Sequence, residues 1–147
     1  MAEKVAIFNA RKNAEENVGR VIKSDMEWKK SLTPEQYRVA RKAGTEAAFS
    51  AHCEPKTKDG IYECACCGTD LFYAKDKFES GTGWPSFTQP VSKMNVQLKE
   101  DREGAMVRTE VLCARCDAHL GHVFDDGPPP TGMRYCMNCA SLEFKPF

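Results

Sequence analysis

Two cysteine pairs constrain this chain more than any other feature of its sequence. Cys64 and Cys67 lie in "CACCG", and Cys113 and Cys116 lie in "CARC". Each C-x-x-C spacing lets two thiolates converge on one ion from a tight turn, and two such pairs make a closed four-cysteine zinc site. Because residues 68–112 separate the pairs, such a metal would cross-link two distant hairpins and stabilise a small domain substantially.

The same cysteines could instead form disulfides or sit in the core as thiols. The N-terminus has no apolar stretch typical of a secretory signal, which favours metal over disulfides. Gly68 suits the turn after the first pair because glycine tolerates a positive φ. Cys66 is left out of the set because a 64/66 spacing would be unusual. We therefore predict one structural Zn²⁺, with no open position for catalysis.

Composition excludes some classes of function. The 21 basic and 21 acidic residues cancel, which argues against a nucleic-acid partner. No apolar run reaches the roughly 18 residues of a membrane helix, so we expect no membrane partner. Eight cysteines without a secretion signal indicate a reducing, cytoplasmic compartment. Glu3, Glu15 and Glu16 argue against a mitochondrial presequence but leave a mitochondrial location open. We expect a monomer.

The chain divides into a tail and one domain. Residues 1–23 are polar and poorly patterned, which predicts a flexible N-terminal tail with a helical turn around Val18, Val21 and Ile22. The domain then covers residues 24–147. Its length is enough for one stable core.

Short helices open this domain. Ser24 with Glu27 has the spacing of a capping box, and Thr33 with Gln36 repeats it. Pro34 stands at the first helical position of the second box. Two helix starts are therefore predicted.

From residue 45 onward the pattern changes to short alternating runs such as "GIYEC", "DLFYA", "AMVRTEVLC" and "RYCMN". Glycines, prolines and charged turns separate these runs, which is typical of an antiparallel β domain. Three prolines make residues 125–132, "DDGPPPTG", an extended loop. The fold class predicted from the residues is mainly β.

The strand "RYCMN" carries a candidate reactive thiol. Alternation along a strand places Arg134, Cys136 and Asn138 on one face and Tyr135 and Met137 on the other. A cationic and hydrogen-bonding neighbourhood is what a thiolate nucleophile needs. The alternative is that Cys136 is a buried structural thiol.

Histidines and a loop complete the set of candidates. His119 and His122 follow the second cysteine pair. Because four thiolates complete the predicted zinc site, neither histidine is needed as a metal ligand, and both could have another role. The loop "SGTGWPSF" surrounds Trp84 and Phe87 with glycines and hydroxyls. Aromatic side chains on such a loop either cover the core or form the wall of an apolar binding pocket.

Together, "SGTGWPSF", "VRTEVLCARCDAHLGHVFDDGPPPTGMRYCMN", "SLEF" and both cysteine pairs resemble the peptide-methionine (R)-S-oxide reductases, the B-type methionine sulfoxide reductases. The helical segment "EWKKSLTPEQYRVARKAGTEAAFS" is similar to that family too, so the resemblance runs from about residue 25 to residue 147. It implies two antiparallel sheets with N-terminal helices and a structural zinc held by four cysteines. It also implies an oxidoreductase of oxidative-stress response and protein repair, which reduces methionine-R-sulfoxide in oxidised proteins.

The resemblance also implies roles for residues. Cys136 would be the nucleophile and would end as a sulfenic acid. His119 and His122 would be candidate proton donors to the sulfoxide oxygen. Asp126 would orient or recharge a histidine, and Arg134 would help to hold Cys136 as a thiolate.

Three more residues receive roles in the same way. Asn138 would hydrogen-bond around the site. Trp84 would receive the ε-methyl group of the substrate, and Phe87 would join it in substrate binding.

One position departs from the family pattern. Many family members place a second, resolving cysteine where this chain has Thr82. Two replacements remain, with Cys66 a distant third because we expect it near the zinc. Cys53, in a connecting loop that can move, is favoured over Cys139. Extended strand points Cys136 and Cys139 to opposite faces, about 10 Å apart, whereas a disulfide needs Cα atoms within about 7 Å. Without an internal resolving cysteine, an external thiol would act directly, and thioredoxin or another thiol reductant is the expected partner.

Two other classes of function compete with this interpretation. One is a zinc module that only binds proteins, which would have no need of the face that carries Arg134, Cys136 and Asn138. The other is a thiol–disulfide oxidoreductase that uses Cys136 with Cys139. It would lose activity on Cys139→Ser and would show no preference for sulfoxides.

Overall fold

The computed structural model describes residues 3–48, 55, 57–102 and 106–147. Within these residues the fold is mainly β, and every strand pair is antiparallel, as predicted. None of the helices described there is long and apolar enough to span a bilayer. Cys53 lies outside the described residues, so its predicted role stays a prediction.

The N-terminal segment is a β-hairpin of β1 (Lys4–Asn9) and β2 (Ala14–Gly19). Ile7 of β1 is buried against the rest of the protein. The helical turn predicted around Val18 is wrong, and residues 4–19 form a paired hairpin instead of an unstructured tail. The alternation in "KVAIFN" is the signal that could have identified β1.

The hairpin is fixed to the domain by side chains that lie far away in sequence. Asn95 accepts a hydrogen bond from the Phe8 backbone N–H at 2.7 Å and donates to the Phe8 carbonyl at 2.9 Å. The Ala10 N–H donates to Asp70, and the Arg115 guanidinium donates to the Gly19 carbonyl. The hairpin therefore depends on tertiary partners, which local patterning does not show.

Both predicted helix starts are confirmed. In α1 (Asp25–Ser31) the Ser24 hydroxyl accepts from the Glu27 N–H, and the Glu27 carboxylate accepts from the Ser24 N–H. The same reciprocal cap begins α2 (Pro34–Gln36), which continues as a π-helix over Tyr37–Arg41.

The remaining strands of the described residues, in chain order, are β3 (Gly60–Cys64), β4 (Asp70–Tyr73), β5 (Lys77–Phe78), β6 (Ser86–Phe87), β7 (Val96–Asp101), β8 (Arg108–Cys113), β9 (His119–Phe124), β10 (Arg134–Met137) and β11 (Leu142–Pro146). Short 3-10 turns cover Ala74–Asp76, Lys93–Asn95 and Cys139–Ser141. Six strands form one sheet in the order β5-β6-β10-β9-β8-β7, and three form another in the order β11-β3-β4. The predicted pair of antiparallel sheets is present, and the hairpin adds a small third sheet.

Aromatic side chains join the two larger sheets. Phe72 of β4 stacks on Phe87 of β6 with ring centroids 4.4 Å apart, and Tyr62 of β3 meets the same Phe87 edge-on. Tyr135 of β10 packs against Phe72 from the six-stranded sheet. All four are buried, so the core lies between the two sheets and holds β10 in place.

Candidate active site and metal centre

The two cysteine pairs form turns of the same local shape. The Gly68 N–H donates to the Cys64 carbonyl at 2.8 Å, and the Asp117 N–H donates to the Cys113 carbonyl at 2.9 Å. The residue after each pair adopts a positive φ, +79° at Gly68 and +63° at Asp117. The conformation predicted for Gly68 is confirmed.

The four predicted ligands come together. Their sulfur atoms all lie within 4.8 Å of one another, with Cys64 Sγ 3.7 Å from Cys116 Sγ and Cys67 Sγ 3.6 Å from Cys113 Sγ. A tetrahedral zinc with Zn–S bonds of about 2.3 Å requires sulfurs about 3.8 Å apart. The donor set therefore fits zinc.

Cys136 lies on β10 between two neighbouring strands. It pairs with Ser86 of β6 on one side and with His122 of β9 on the other. The neighbouring Tyr135 and Met137 are buried in the core, which confirms the predicted alternation. Cys136 is only partly buried, at a cavity of about 240 Å³.

Gly121 permits the close contact between β9 and β10 at this cavity. It pairs with Met137, and a Cβ atom built on it would lie 2.1 Å from the Cys136 carbonyl oxygen. No real Cβ contact is that short, so any larger residue here would push the strand of Cys136 away. The sequence analysis missed this requirement.

A β-bulge brings the two histidines to one face. Val111 of β8 pairs with Gly121, whereas the next residue, Leu112, pairs with His119. Residues three apart on a regular strand point to opposite faces, but the extra residue on β9 changes this. The rings of His119 and His122 consequently lie 5.6 Å apart.

Each histidine has a carboxylate partner that the sequence analysis missed. His119 Nδ1 lies 2.6 Å from Glu110 Oε2, and His122 Nε2 lies 2.9 Å from Asp101 Oδ2. Glu110 comes from β8, which is beside β9 in the sheet, and Asp101 comes from β7, one strand further away. Their positions follow from strand order and from the bulge, which spacing in the chain does not reveal.

The two histidines differ in their access to the cavity. His122 lines it, whereas His119 is buried behind it. Burial lowers the pKa of His122, and the hydrogen bond to Asp101 opposes this effect. Of the two predicted proton donors, His122 has the position from which a proton could reach a bound substrate.

Asp126 contacts Arg134 and not a histidine. Arg134 Nε and a terminal nitrogen reach the two carboxylate oxygens at 2.8 and 3.2 Å, and the guanidinium covers the Phe124 ring at 4.4 Å. The predicted Asp126–histidine contact is therefore corrected. Asp126 instead fixes Arg134, which lines the cavity beside Cys136.

The resting thiol is less acidic than predicted. Burial raises the pKa of Cys136 above its ordinary value, and this effect exceeds the opposing ones. Arg134 lowers the pKa, in the predicted direction, and hydrogen bonds from Thr82 and Ser86 also lower it. The effect of Arg134 on the pKa of Cys136 is thus smaller than the effect of burial.

The two aromatic residues of the "SGTGWPSF" segment lie in different environments. Trp84 lines the cavity, as predicted for a wall. Phe87 is fully buried between the sheets, so its predicted contact with substrate is corrected to a core position. Phe124, which was not predicted, is the second aromatic wall.

Glu46 is a buried connector that the sequence analysis missed. Its carboxylate accepts from the N–H groups of Cys139 and Ala140 at 2.8 and 2.9 Å. Its own N–H donates to Asn138 Oδ1, and its carbonyl accepts from Trp84 Nε1 at 3.0 Å. Glu46 therefore ties the end of β10 to the tryptophan wall.

Asn138 has a supporting position. Besides its bond with Glu46, its side-chain amide donates to the Leu120 carbonyl at 3.2 Å. It lines the cavity but is almost fully buried. The hydrogen bonding predicted for Asn138 around the site is thus directed to the protein backbone.

The two cysteines of "CMNC" do not share a cavity. Cys136 lines the cavity already described, whereas Cys139 lines another one of about 440 Å³, together with Thr33 and Glu46. This arrangement agrees with the argument against a direct bridge. Thr82 lines the cavity of Cys136.

Comparisons with known proteins agree with this geometry. A family model described as the SelR domain matches residues 32–146, so the N-terminal hairpin lies outside the match.

Three curated relatives are each named peptide methionine sulfoxide reductase MsrB. Those of Methanosarcina barkeri, Leptospira interrogans and Hahella chejuensis are 58%, 55% and 54% identical over 125 residues. These alignments cover 85% of this chain and 88%, 95% and 90% of the respective relatives. The chain therefore belongs to the SelR family of peptide methionine sulfoxide reductases B.

Proposed function

We propose that this protein reduces methionine-R-sulfoxide in proteins to methionine, with Cys136 as the nucleophile. The observation that carries the proposal is the position of the Cys136 thiol at a cavity with Trp84 and Phe124 as aromatic walls and His122 on the facing strand. Such walls suit a methyl thioether, and the histidine supplies a proton donor near the oxygen.

The reaction transfers two electrons from the Cys136 sulfur to the sulfur of the methionine sulfoxide. The Cys136 thiolate attacks the sulfoxide sulfur, and His122 donates a proton to the oxygen as it becomes basic. The oxygen is transferred to Cys136 and methionine leaves. Methionine sulfur is thus reduced by two electrons, and Cys136 is oxidised to a sulfenic acid.

The other residues support this step. Glu110 and Asp101 orient the two histidines, with His119 behind His122. Arg134, fixed by Asp126, favours the anionic form of Cys136.

Recycling needs a second thiol. Thr82 cannot resolve the sulfenic acid, so Cys53 remains the first candidate and Cys139 the second. A disulfide with either would then be reduced by thioredoxin or another thiol reductant. The position of Cys139 in a different cavity counts against a thiol–disulfide oxidoreductase that uses Cys136 with Cys139.

The metal centre has a separate role. Cys64, Cys67, Cys113 and Cys116 would hold one Zn²⁺, which would supply structural cross-linking and no open coordination site. We place the protein in the cytoplasm as a monomer, in the repair of oxidised proteins during oxidative stress.

A single turnover without reductant tests the proposal. Zinc-loaded protein receives a limiting peptide with racemic methionine sulfoxide, and the epimers are separated by chromatography. The R epimer alone should disappear. Cys136→Ser should abolish this loss, whereas Cys139→Ser, the matched control, should keep it.

Two further readouts decide between the alternatives. Peptide mapping under non-reducing conditions should find Cys136 joined to Cys53. If wild-type protein consumes neither epimer and Cys136 stays a thiol, the reductase proposal fails and a zinc-binding module is the better account.

A further inference from the structure

Three hydroxyl groups form a cluster beside the nucleophile. Ser80 Oγ lies 2.8 Å from Thr82 Oγ1 and 2.9 Å from Ser86 Oγ. Ser86 is fully buried. It is also the β6 residue directly paired with Cys136, and Thr82 lines the cavity with Cys136. The cluster therefore adjoins the reacting sulfur on the side away from His122.

The hydrogen bonds of this cluster run in one direction. A hydroxyl has one hydrogen to donate and two lone pairs to accept with. The Ser86 hydroxyl lies 2.9 Å from Ser80 Oγ and 3.3 Å from the Trp84 carbonyl, and we assign its hydrogen to the shorter bond. Ser80 Oγ also accepts from the Thr82 backbone N–H, so both of its lone pairs are occupied. Its own hydrogen is therefore donated to Thr82 Oγ1.

The same count at Thr82 leaves one donor unused within the cluster. Thr82 Oγ1 accepts from the Ser80 hydroxyl and from the Trp84 backbone N–H at 3.3 Å. Both of its lone pairs are then occupied, and the Thr82 hydrogen must be donated outside the cluster. Among the groups that line the same cavity, an anionic Cys136 sulfur is the strongest acceptor.

We propose that Thr82 is a catalytic residue whose hydroxyl, oriented by Ser80 and Ser86, donates a hydrogen bond to the Cys136 thiolate. Ser80 and Ser86 are positioning residues. The inference rests on the proposed function only in taking Cys136 as the reacting thiol.

Two observations support the assignment. A hydrogen bond from Thr82 lowers the pKa of Cys136, against the effect of burial. The charged or titratable groups at the same cavity are Arg134, Arg108 and His122. All three stay unchanged in a Thr82 variant, so an effect of that variant can be separated from theirs.

The test is the pH dependence of Cys136 alkylation by iodoacetamide, resolved by peptide mass spectrometry on zinc-loaded protein without substrate. Thr82→Val removes the hydroxyl at nearly constant shape, and Thr82→Ser is the matched control that keeps it. We expect Thr82→Val to raise the titration midpoint by about one pH unit. The alkylation rate at pH 7 should fall about threefold, because a more basic thiolate is also more nucleophilic.

Thr82→Ser should titrate like the wild type, and Ser80→Ala should show a smaller rise. Thr82→Ala replaces Thr82→Val if the latter fails to retain zinc. An unchanged midpoint in a folded variant without the hydroxyl overturns the inference, even where sulfoxide reduction is observed. A shifted midpoint in a protein that reduces no sulfoxide would support the inference and refute the proposed function.

Discussion

The metal centre and the active-site cavity share a strand but are built in different ways. β8 ends at Cys113, one of the four clustered cysteines, and begins at Arg108, which lines the cavity. The metal centre uses two short turns of the same shape, each fixed by its own spacing. The cavity collects residues that lie far apart in the chain, such as Thr45, Trp84 and Cys136. Local spacing therefore determines the first site, and sheet order determines the second.

The largest expected effect concerns the metal centre. Cys113→Ser should abolish stoichiometric zinc and lower the free energy of unfolding by more than about 4 kcal/mol, because zinc binding contributes directly to folding. Metal analysis and thermal unfolding measure both. Cys66→Ser, in the other turn but outside the ligand set, should keep the zinc. Equal zinc loss in the two variants would show that the ligand set is wrong.

Substitutions of the cavity histidines should have a smaller effect, which is limited to the rate of the reaction. His122→Asn should lower the single-turnover rate by at least about 100-fold, as expected for loss of a general acid. His119→Asn should lower the rate about tenfold, because His119 does not line the cavity and acts only through its contact with His122. Zinc content should stay at one per chain in both variants. A larger loss from His119→Asn would reverse the two assignments.

Substitution of one glycine in each site allows a direct comparison of the cavity and the metal centre. Gly121→Ala places a Cβ against the Cys136 carbonyl, and we expect it to cost about 2–3 kcal/mol and to lower the single-turnover rate. Gly68→Ala meets nothing within 4 Å but keeps a positive φ, so it should cost about 1–2 kcal/mol and leave the rate unchanged. Urea unfolding and single-turnover kinetics separate these results. Equal rate losses would show that the two sites are coupled.

The smallest expected effect is the pH dependence between about pH 7 and 9. Burial raises the pKa of Cys136 above 9.0 and lowers the pKa of His122 below 6.5. As pH rises between these values, the thiolate fraction grows as fast as the protonated fraction of His122 declines. The single-turnover rate should therefore change less than about threefold across this interval. A tenfold rise per pH unit would mean that no titrating acid takes part.

The sequence was sufficient where a feature depends on neighbours in the chain. The two C-x-x-C pairs predicted the four-cysteine cluster, and the capping boxes at Ser24 and Thr33 predicted both helix starts. Alternation along "RYCMN" placed Cys136 on the correct face of its strand. Each of these features is set within a few residues.

The features that the sequence analysis missed or predicted wrongly depend on tertiary contacts. The hairpin needs Asn95 to hold Phe8, and the histidine partners depend on a bulge that spacing does not show. Trp84 and Phe87 lie three residues apart and have similar chemistry, yet only the packing of two sheets decides that Phe87 enters the core. Glu46 had no local signal, because its partners lie close to the opposite end of the chain.

The most direct test of the account is to trap the oxidised nucleophile. Cys53→Ser/Cys139→Ser protein, loaded with zinc, would receive one equivalent of a methionine-R-sulfoxide peptide and dimedone, followed by peptide mass spectrometry. The account predicts one dimedone adduct, on Cys136, for each methionine formed. Methionine formed with the adduct on another cysteine, or with none, would contradict Cys136 as the reducing atom.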